Sequence, residues 1–170
     1  MLSFKTIQRL INLGPLILLY YLSISEIDTN LEKLFEVFSL NLQIIIIYFW
    51  IIKRPNLMGT GHIFIAGLIN DVVMGFPLGI SSLSYLIVCF VGNYVRNKSV
   101  NTTIASDWFT FLIALLFGNL LFFSLLNNFS EVAISYSKIG YNTFFTLFLF
   151  PVFWLLFNLY QISFIGSQDA

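Results

Sequence analysis

Six apolar stretches, near 10–24, 37–52, 62–76, 80–95, 105–127 and 139–164, take up most of this 170-residue chain. Little is left over that could face water: 58% of the residues are hydrophobic and 9% are charged, against roughly a quarter charged in soluble domains. Lipid is therefore the expected solvent for most of the surface. A helix needs ~20 residues to cross a ~30 Å hydrocarbon core, so the length accommodates about six spans. Backbone groups in lipid must bond within their own segment, and no barrel-like alternation appears, so helices are the economical solution. The expectation is a single all-α integral membrane domain, 1–170, with six transmembrane helices. The first four stretches are short for such a core, and their flanks are expected to lengthen them.

Lysine and arginine fix the orientation. Lys5 and Arg9 precede the first stretch, Lys53 and Arg54 follow the second, and Arg96 and Lys98 follow the fourth. These six lie on one side, which should be the cytoplasm, against Lys33 and Lys138 on the other. Both termini then face the cytoplasm, and the chain is expected to cross its membrane several times. A second reading makes the first stretch a signal peptide, with Ser23-Ile24-Ser25 at its cleavage position. Cleavage would leave five spans.

The connections carry their own signals. Lys53-Arg54-Pro55-Asn56 should stop the second helix, because the residue before a proline avoids the helical region. Gly75-Phe76-Pro77-Leu78-Gly79 reads as a tight outer turn joining the third and fourth spans into a hairpin. In the outer segment 25–38, Ile27, Leu31, Leu34, Phe35 and Phe38 recur at helical spacing beside an acidic row of Asp28, Glu32 and Glu36. A short amphipathic interfacial helix and a solvated loop both fit that pattern.

Asp71 is the most informative side chain. It stands about 15 Å into the third stretch at the helical rise, near mid-depth if the flanks extend that span. A carboxylate there costs at least ~2.5 kcal/mol on insertion scales and is expected to face the bundle interior with a partner. Gly67, Asp71 and Gly75 share one helix face, whose small residues would let another helix approach. With no mid-depth cation, the expected partners are hydroxyls, amides or water, from among Asn70, Ser81, Ser82, Ser84 and Asn93 on the same hairpin, or Asn119 and Asn158 further on. Asp71 is then either a fastener of helix packing or a contact for a ligand, proton or partner. Asn12, Asn41, Asn93, Asn119 and Asn158 read chiefly as hydrogen-bonding glue between helices, with Gly92 and Gly118 beside two of them suited to close contacts. Aromatic residues make up 18% of the chain, and Tyr48-Phe49-Trp50 and the run from Phe144 through Trp154 are expected to form lipid-facing or interfacial belts. Pro151 should kink the last span.

Catalytic chemistry is sparse. There is no P-loop, H-E-x-x-H, G-x-S-x-G or dinucleotide fingerprint. Cys89 is the only cysteine and His62 the only histidine, which excludes an internal disulfide and a cysteine metal site within one chain. Asp107 sits at the start of the fifth span, where a carboxylate favours the positive helix end, and Glu131 lies in an outer loop. Neither is placed to form an acid–base dyad with Asp71. His62 is read as an interfacial histidine at the cytoplasmic mouth of the third span. Net charge is zero, so there is no electrostatic footprint for nucleic acid. The chain is expected not to be an enzyme, and no cofactor or metal is implied.

The segment 54–94 carries a family resemblance. Arg54-Pro55 precedes the third stretch; Gly67-Leu68-Ile69-Asn70-Asp71 gives G-L-x-x-D; and Gly75-Phe76-Pro77-Leu78-Gly79 gives G-x-P-L-G after a three-residue gap. This resembles the MreD family of rod shape-determining bacterial membrane proteins. Outside this segment only hydropathy and size agree, and the acidic outer segment has no counterpart in the resemblance. The resemblance implies a fold similar to the substrate-binding subunits of energy-coupling-factor transporters. It also implies a non-catalytic role in the cell-elongation machinery that builds lateral peptidoglycan, maintaining rod shape. The implied partners are an MreC-like protein, a SEDS-type glycosyltransferase, a penicillin-binding transpeptidase and, indirectly, the actin-like MreB. The matching residues are Gly67, Asp71, Gly75, Pro77 and Gly79. The competing reading is a solute-binding membrane subunit of a vitamin-type importer, with Asp71, the kinked last span and the aromatics lining a pocket.

Overall fold

The computed structural model describes the backbone of residues 4–25, 32–98, 103–129 and 136–165, and the side chains of residues 11–25, 42–98, 103–129 and 140–164. The described residues form an all-α fold of six helices: α1 (Phe4–Ile24), α2 (Glu32–Lys53), α3 (Thr60–Met74), α4 (Ile80–Lys98), α5 (Ile104–Phe129) and α6 (Tyr136–Tyr160). A 3-10 turn at Pro55–Leu57 separates α2 from α3, and a π turn at Gln161–Ile165 follows α6. No strand occurs among the described residues. Each apolar stretch becomes one helix, and flanking residues do lengthen the first, second and fourth. The third is the exception, at 15 residues.

Both readings of the segment 25–38, a separate short helix and a solvated loop, need correcting over residues 32–38. Residues 32–38 are the opening turns of α2, which runs unbroken to Lys53; residues 26–31 lie outside the described residues. The 22 residues of α2 contain no glycine and no proline, so nothing interrupts the hydrogen-bond ladder.

α2 occupies the centre. It packs against α1, α4, α5 and α6, while α1 also meets α3, α3 meets α4, α4 meets α5, and α5 meets α6. α2 thus packs against four of the other five helices and reaches α3 through the Gln43 side chain. Every side chain from Gln43 to Ile52 is buried, as a helix apolar on all faces requires. The ring closes where the π turn after α6 reaches α1. There the Tyr160 hydroxyl donates to the Ile11 carbonyl at 2.8 Å. It lies so close over Gly14 that a Cβ at that position would sit 2.5 Å from it.

Tyr48, Phe49 and Trp50 are therefore core residues, not the expected belt. Tyr48 packs on Phe111 and Phe150, Phe49 on Trp154 and Phe157, and Trp50 on Phe157 and Tyr160. Phe150 stacks on Phe111 with ring centroids 4.1 Å apart. The expectation for the later aromatic run holds in part: Phe144, Phe145 and Phe148 are exposed, but Phe150 is fully buried. Hydropathy alone does not distinguish a lipid-facing ring from one facing another helix.

The outside of the bundle is apolar. Phe109, Phe117 and Leu120 on α5, and Phe144, Phe148, Val152 and Leu155 on α6, are all exposed. Two described stretches, Ile104–Phe129 and Gly140–Phe164, are long and apolar enough to cross a membrane; Ile11–Ile24, Leu42–Lys53 and Thr60–Met74 are apolar but shorter.

Candidate functional site

The site begins where α3 stops. Gly75 adopts the left-handed conformation, φ 66°, which costs glycine nothing and other residues more. Its N–H reaches the Val72 carbonyl, and the N–H of Phe76 reaches the Asp71 carbonyl at 2.9 Å. This 5→2 and 6→1 pair is a Schellman ending. Pro77 follows, where it cannot continue the helix. Gly79, at φ 101°, then opens α4, and its carbonyl accepts the first helical N–H, from Leu83, at 2.9 Å.

Gly79 thus stands in the N-cap position of α4 with no side chain to cap the free backbone donors. Asp71 supplies the missing group from the preceding helix. Its Oδ2 accepts the Gly79 N–H at 2.8 Å and its Oδ1 accepts the Ser81 N–H at 2.9 Å. A carboxylate at a helix N-terminus both satisfies donors and meets the positive end of the dipole. Asp71 is fully buried. The sequence-based list of partners held only side chains, whereas both oxygens go to main-chain N–H groups. Gly75, expected on the packing face of α3 with Gly67 and Asp71, instead ends the helix and touches no neighbour there.

Gly67 does serve as a contact face. A Cβ on it would lie 2.5 Å from Ser82 Cα and 2.6 Å from Ser82 N, so α3 and α4 meet backbone to backbone. The Ser82 hydroxyl donates to the Phe64 carbonyl at 3.0 Å. On the far side of α4 the Ser84 hydroxyl donates to the Gly118 carbonyl at 2.9 Å, joining α4 to α5.

Beside Asp71 runs a chain of buried polar groups that ties four helices together. Asn70 donates through Nδ2 to the Ser81 hydroxyl at 3.1 Å. Its Oδ1 accepts from Gln43 Nε2 at 3.2 Å, and the same Nε2 reaches the Ser23 hydroxyl at 3.2 Å. Gln43 Oε1 accepts from the Tyr85 hydroxyl, and Ser23 donates onward to the Leu19 carbonyl at 2.9 Å. Ser23, Gln43, Asn70, Ser81 and Tyr85 are all buried. Gln43 is the hub, contributed by central α2 to α1, α3 and α4. It was not among the sequence candidates; the available signal was one amide heading the run Ile44–Ile47.

The other polar cluster lies at the Lys53 end. Lys53 Nζ is 3.2 Å from Asp107 Oδ2, and the Trp154 indole donates to that same oxygen at 3.0 Å. The ammonium also lies 5.4 Å from the Trp154 ring centroid. One pair thereby links the end of α2 to the first turn of α5 and to α6. Asp107 is on the first turn as expected, but it is buried and paired besides.

The remaining candidates fall apart from these clusters. Asn93 donates only within its own helix, to Cys89 Sγ at 3.5 Å. Asn119 joins α5 to α6 through the Thr143 hydroxyl at 3.0 Å. Asn158 is half-buried on α6. His62, read as an interfacial histidine, has a partner on α1: its Nδ1 lies 3.1 Å from the Tyr20 hydroxyl. Among the described residues no group of three or more His, Cys, Asp or Glu side chains gathers. Compared with family models, with curated proteins and with solved structures, the chain matches none.

Proposed function

We propose that this chain is a six-span protein of the bacterial cell membrane that serves as a non-catalytic scaffold of MreD type in the cell-elongation machinery. The carrying observation is the use made of the motif residues. Gly67 sets the α3–α4 contact, Gly75 and Gly79 take left-handed backbone, Pro77 makes the turn, and Asp71 closes it. All five matching residues go into one hairpin, which favours a shaped surface for protein contacts over a reacting centre.

The membrane reading is supported by the apolar exterior of α5 and α6 and by the six-to-two bias of basic residues. α1 is retained in this reading, because Ser23 is buried and bonded into the polar chain that Gln43 organises. The same polar chain weighs against a vitamin-type importer subunit. Its groups hydrogen-bond to one another, as packing elements do, where a solute pocket would hold groups waiting for a ligand.

In this role the chain would contact an MreC-like protein, a penicillin-binding transpeptidase and a SEDS-type glycosyltransferase, and through them MreB. Depletion in a rod-shaped native host, followed by measurement of cell width, tests the proposal. Rounding of the cells, reversed by the wild-type gene, is expected; unchanged rods in a host with no second copy would sink it.

A further inference from the structure

The α3–α4 hairpin is short in relation to its neighbours. The Lys53–Asp107 pair gives a level from which height along the bundle can be measured. Along α5 from Asp107 at ~1.5 Å per residue, Asn127 and Asn128 lie about 30 Å away, a full hydrocarbon thickness. The hairpin stops well below them. The Phe76 ring packs on Phe122 with centroids 5.6 Å apart, and Phe122 is only about 22 Å above Asp107. The 15 residues of α3 give the same height, about 22 Å.

Two further features mark the tip. No charged residue lies between Asp71 and Arg96, whereas the other outer connections and the helix ends beside them carry Glu26, Asp28, Glu32, Lys33 and Glu36, or Glu131 and Lys138. Most backbone donors around the turn are satisfied from within, the N–H of exposed Leu78 being the exception. Gly75, Phe76, Gly79, Ile80 and Ser81 all donate inside the hairpin, Gly79 and Ser81 to the Asp71 carboxylate and Ile80 to the Pro77 carbonyl, and Pro77 has no N–H to satisfy. A turn in contact with water has no need of that economy; a turn in hydrocarbon does. Its exposed side chains, Val72 at 68% and Leu78 at 70%, are apolar.

We infer that the tip of the α3–α4 hairpin, Gly75–Gly79, ends inside the outer leaflet and takes lipid acyl chains as its partner. Asp71 then has a role beyond joining two helices: it lets a chain reversal exist where water cannot solvate it. The outer face of the protein is recessed over this hairpin between the taller α2 and α5. The inference rests on the six-span reading, and the test separates the two.

The full chain with Cys89→Ala receives single cysteines by Leu78→Cys, Val72→Cys, Leu120→Cys or Phe129→Cys, and each is spin-labelled in vesicles of phosphatidylcholine and phosphatidylglycerol. Collision with oxygen and with a water-soluble nickel chelate is then measured. Leu120, 71% exposed midway along α5, is the lipid control, and Phe129, 70% exposed at its end, is the surface control. The expected result groups position 78 with position 120, rich in oxygen and several-fold poorer in nickel collisions than position 129; position 72 gives a second reading of the same depth. Nickel access at 78 and 72 equal to that at 129, with 120 still shielded, overturns the inference alone. Nickel access at 120 overturns the six-span reading and the inference with it.

Discussion

Asp71 Oδ1 accepts the backbone N–H of Ser81 at 2.9 Å, so the first turn of α4 is capped by a residue on the last turn of α3. Reciprocal dependence follows: α4 starts where it does because α3 ends where it does. Asp71→Ala leaves two donors, the part-buried Gly79 N–H and the buried Ser81 N–H, without acceptors. Loss of a helix cap costs ~1 kcal/mol and stranded buried donors cost more, so a destabilisation of about 2–4 kcal/mol is expected. Asp71→Asn keeps one side-chain acceptor and should lose about half of that. Thermal unfolding in detergent micelles reads both.

Gly67 and Gly118 both sit at helix contacts, yet they should not respond equally to alanine. At Gly67 the added methyl meets the Ser82 backbone, which cannot turn away, whereas at Gly118 it meets the end of the Val88 side chain at 2.8 Å. Gly67→Ala should cost about 2–3 kcal/mol through forced separation of α3 and α4, and Gly118→Ala about 1. Equal melting temperatures for the two variants would contradict the backbone contact.

The legibility of this fold was uneven, for physical reasons. Long apolar runs announced six helices, because helical length and hydropathy are written locally. Which helix is central was not written there: Tyr48-Phe49-Trp50 on α2 and Phe144 on α6 look alike in sequence, since lipid and protein interior are equally apolar. The turn residues Gly75, Pro77 and Gly79 were readable because backbone conformation restricts residue type. The partners of Asp71 were not, because every residue carries an N–H and a side-chain inventory cannot single out those of Gly79 and Ser81. Gln43 was concealed by the isoleucines that follow it, and its role depends on four helices meeting.

Gln43→Leu should be the most damaging single change in the polar chain. It removes the acceptor of Tyr85 and the donor of Asn70, leaving both groups buried and unpaired. A loss of about 2–4 kcal/mol is expected from two stranded groups. Ser23→Ala removes a peripheral member and should cost less than about 1 kcal/mol. The difference between the two in unfolding experiments measures how far Gln43 acts as the hub.

Lys53 and Asp107 should show coupling. Lys53→Met leaves the Asp107 carboxylate, 2% exposed, without its cation. Breaking a buried pair from one side costs ~3–5 kcal/mol, and the partial exposure of Lys53 places this pair at or below the low end of that range. Adding Asp107→Asn removes the stranded charge, so the double variant should be more stable than Lys53→Met alone. A double variant less stable than the single one would mean that the pair does not carry the α2–α5 junction.

The proposed membership of a cell-wall elongation complex can be checked by a gentle detergent pull-down from native membranes. Tagged wild-type chain, with proteins identified by mass spectrometry, is expected to recover an MreC-like protein and a penicillin-binding transpeptidase. Recovery of the ATPase subunits of an importer in their place would contradict the account and reassign the buried polar residues to a solute site.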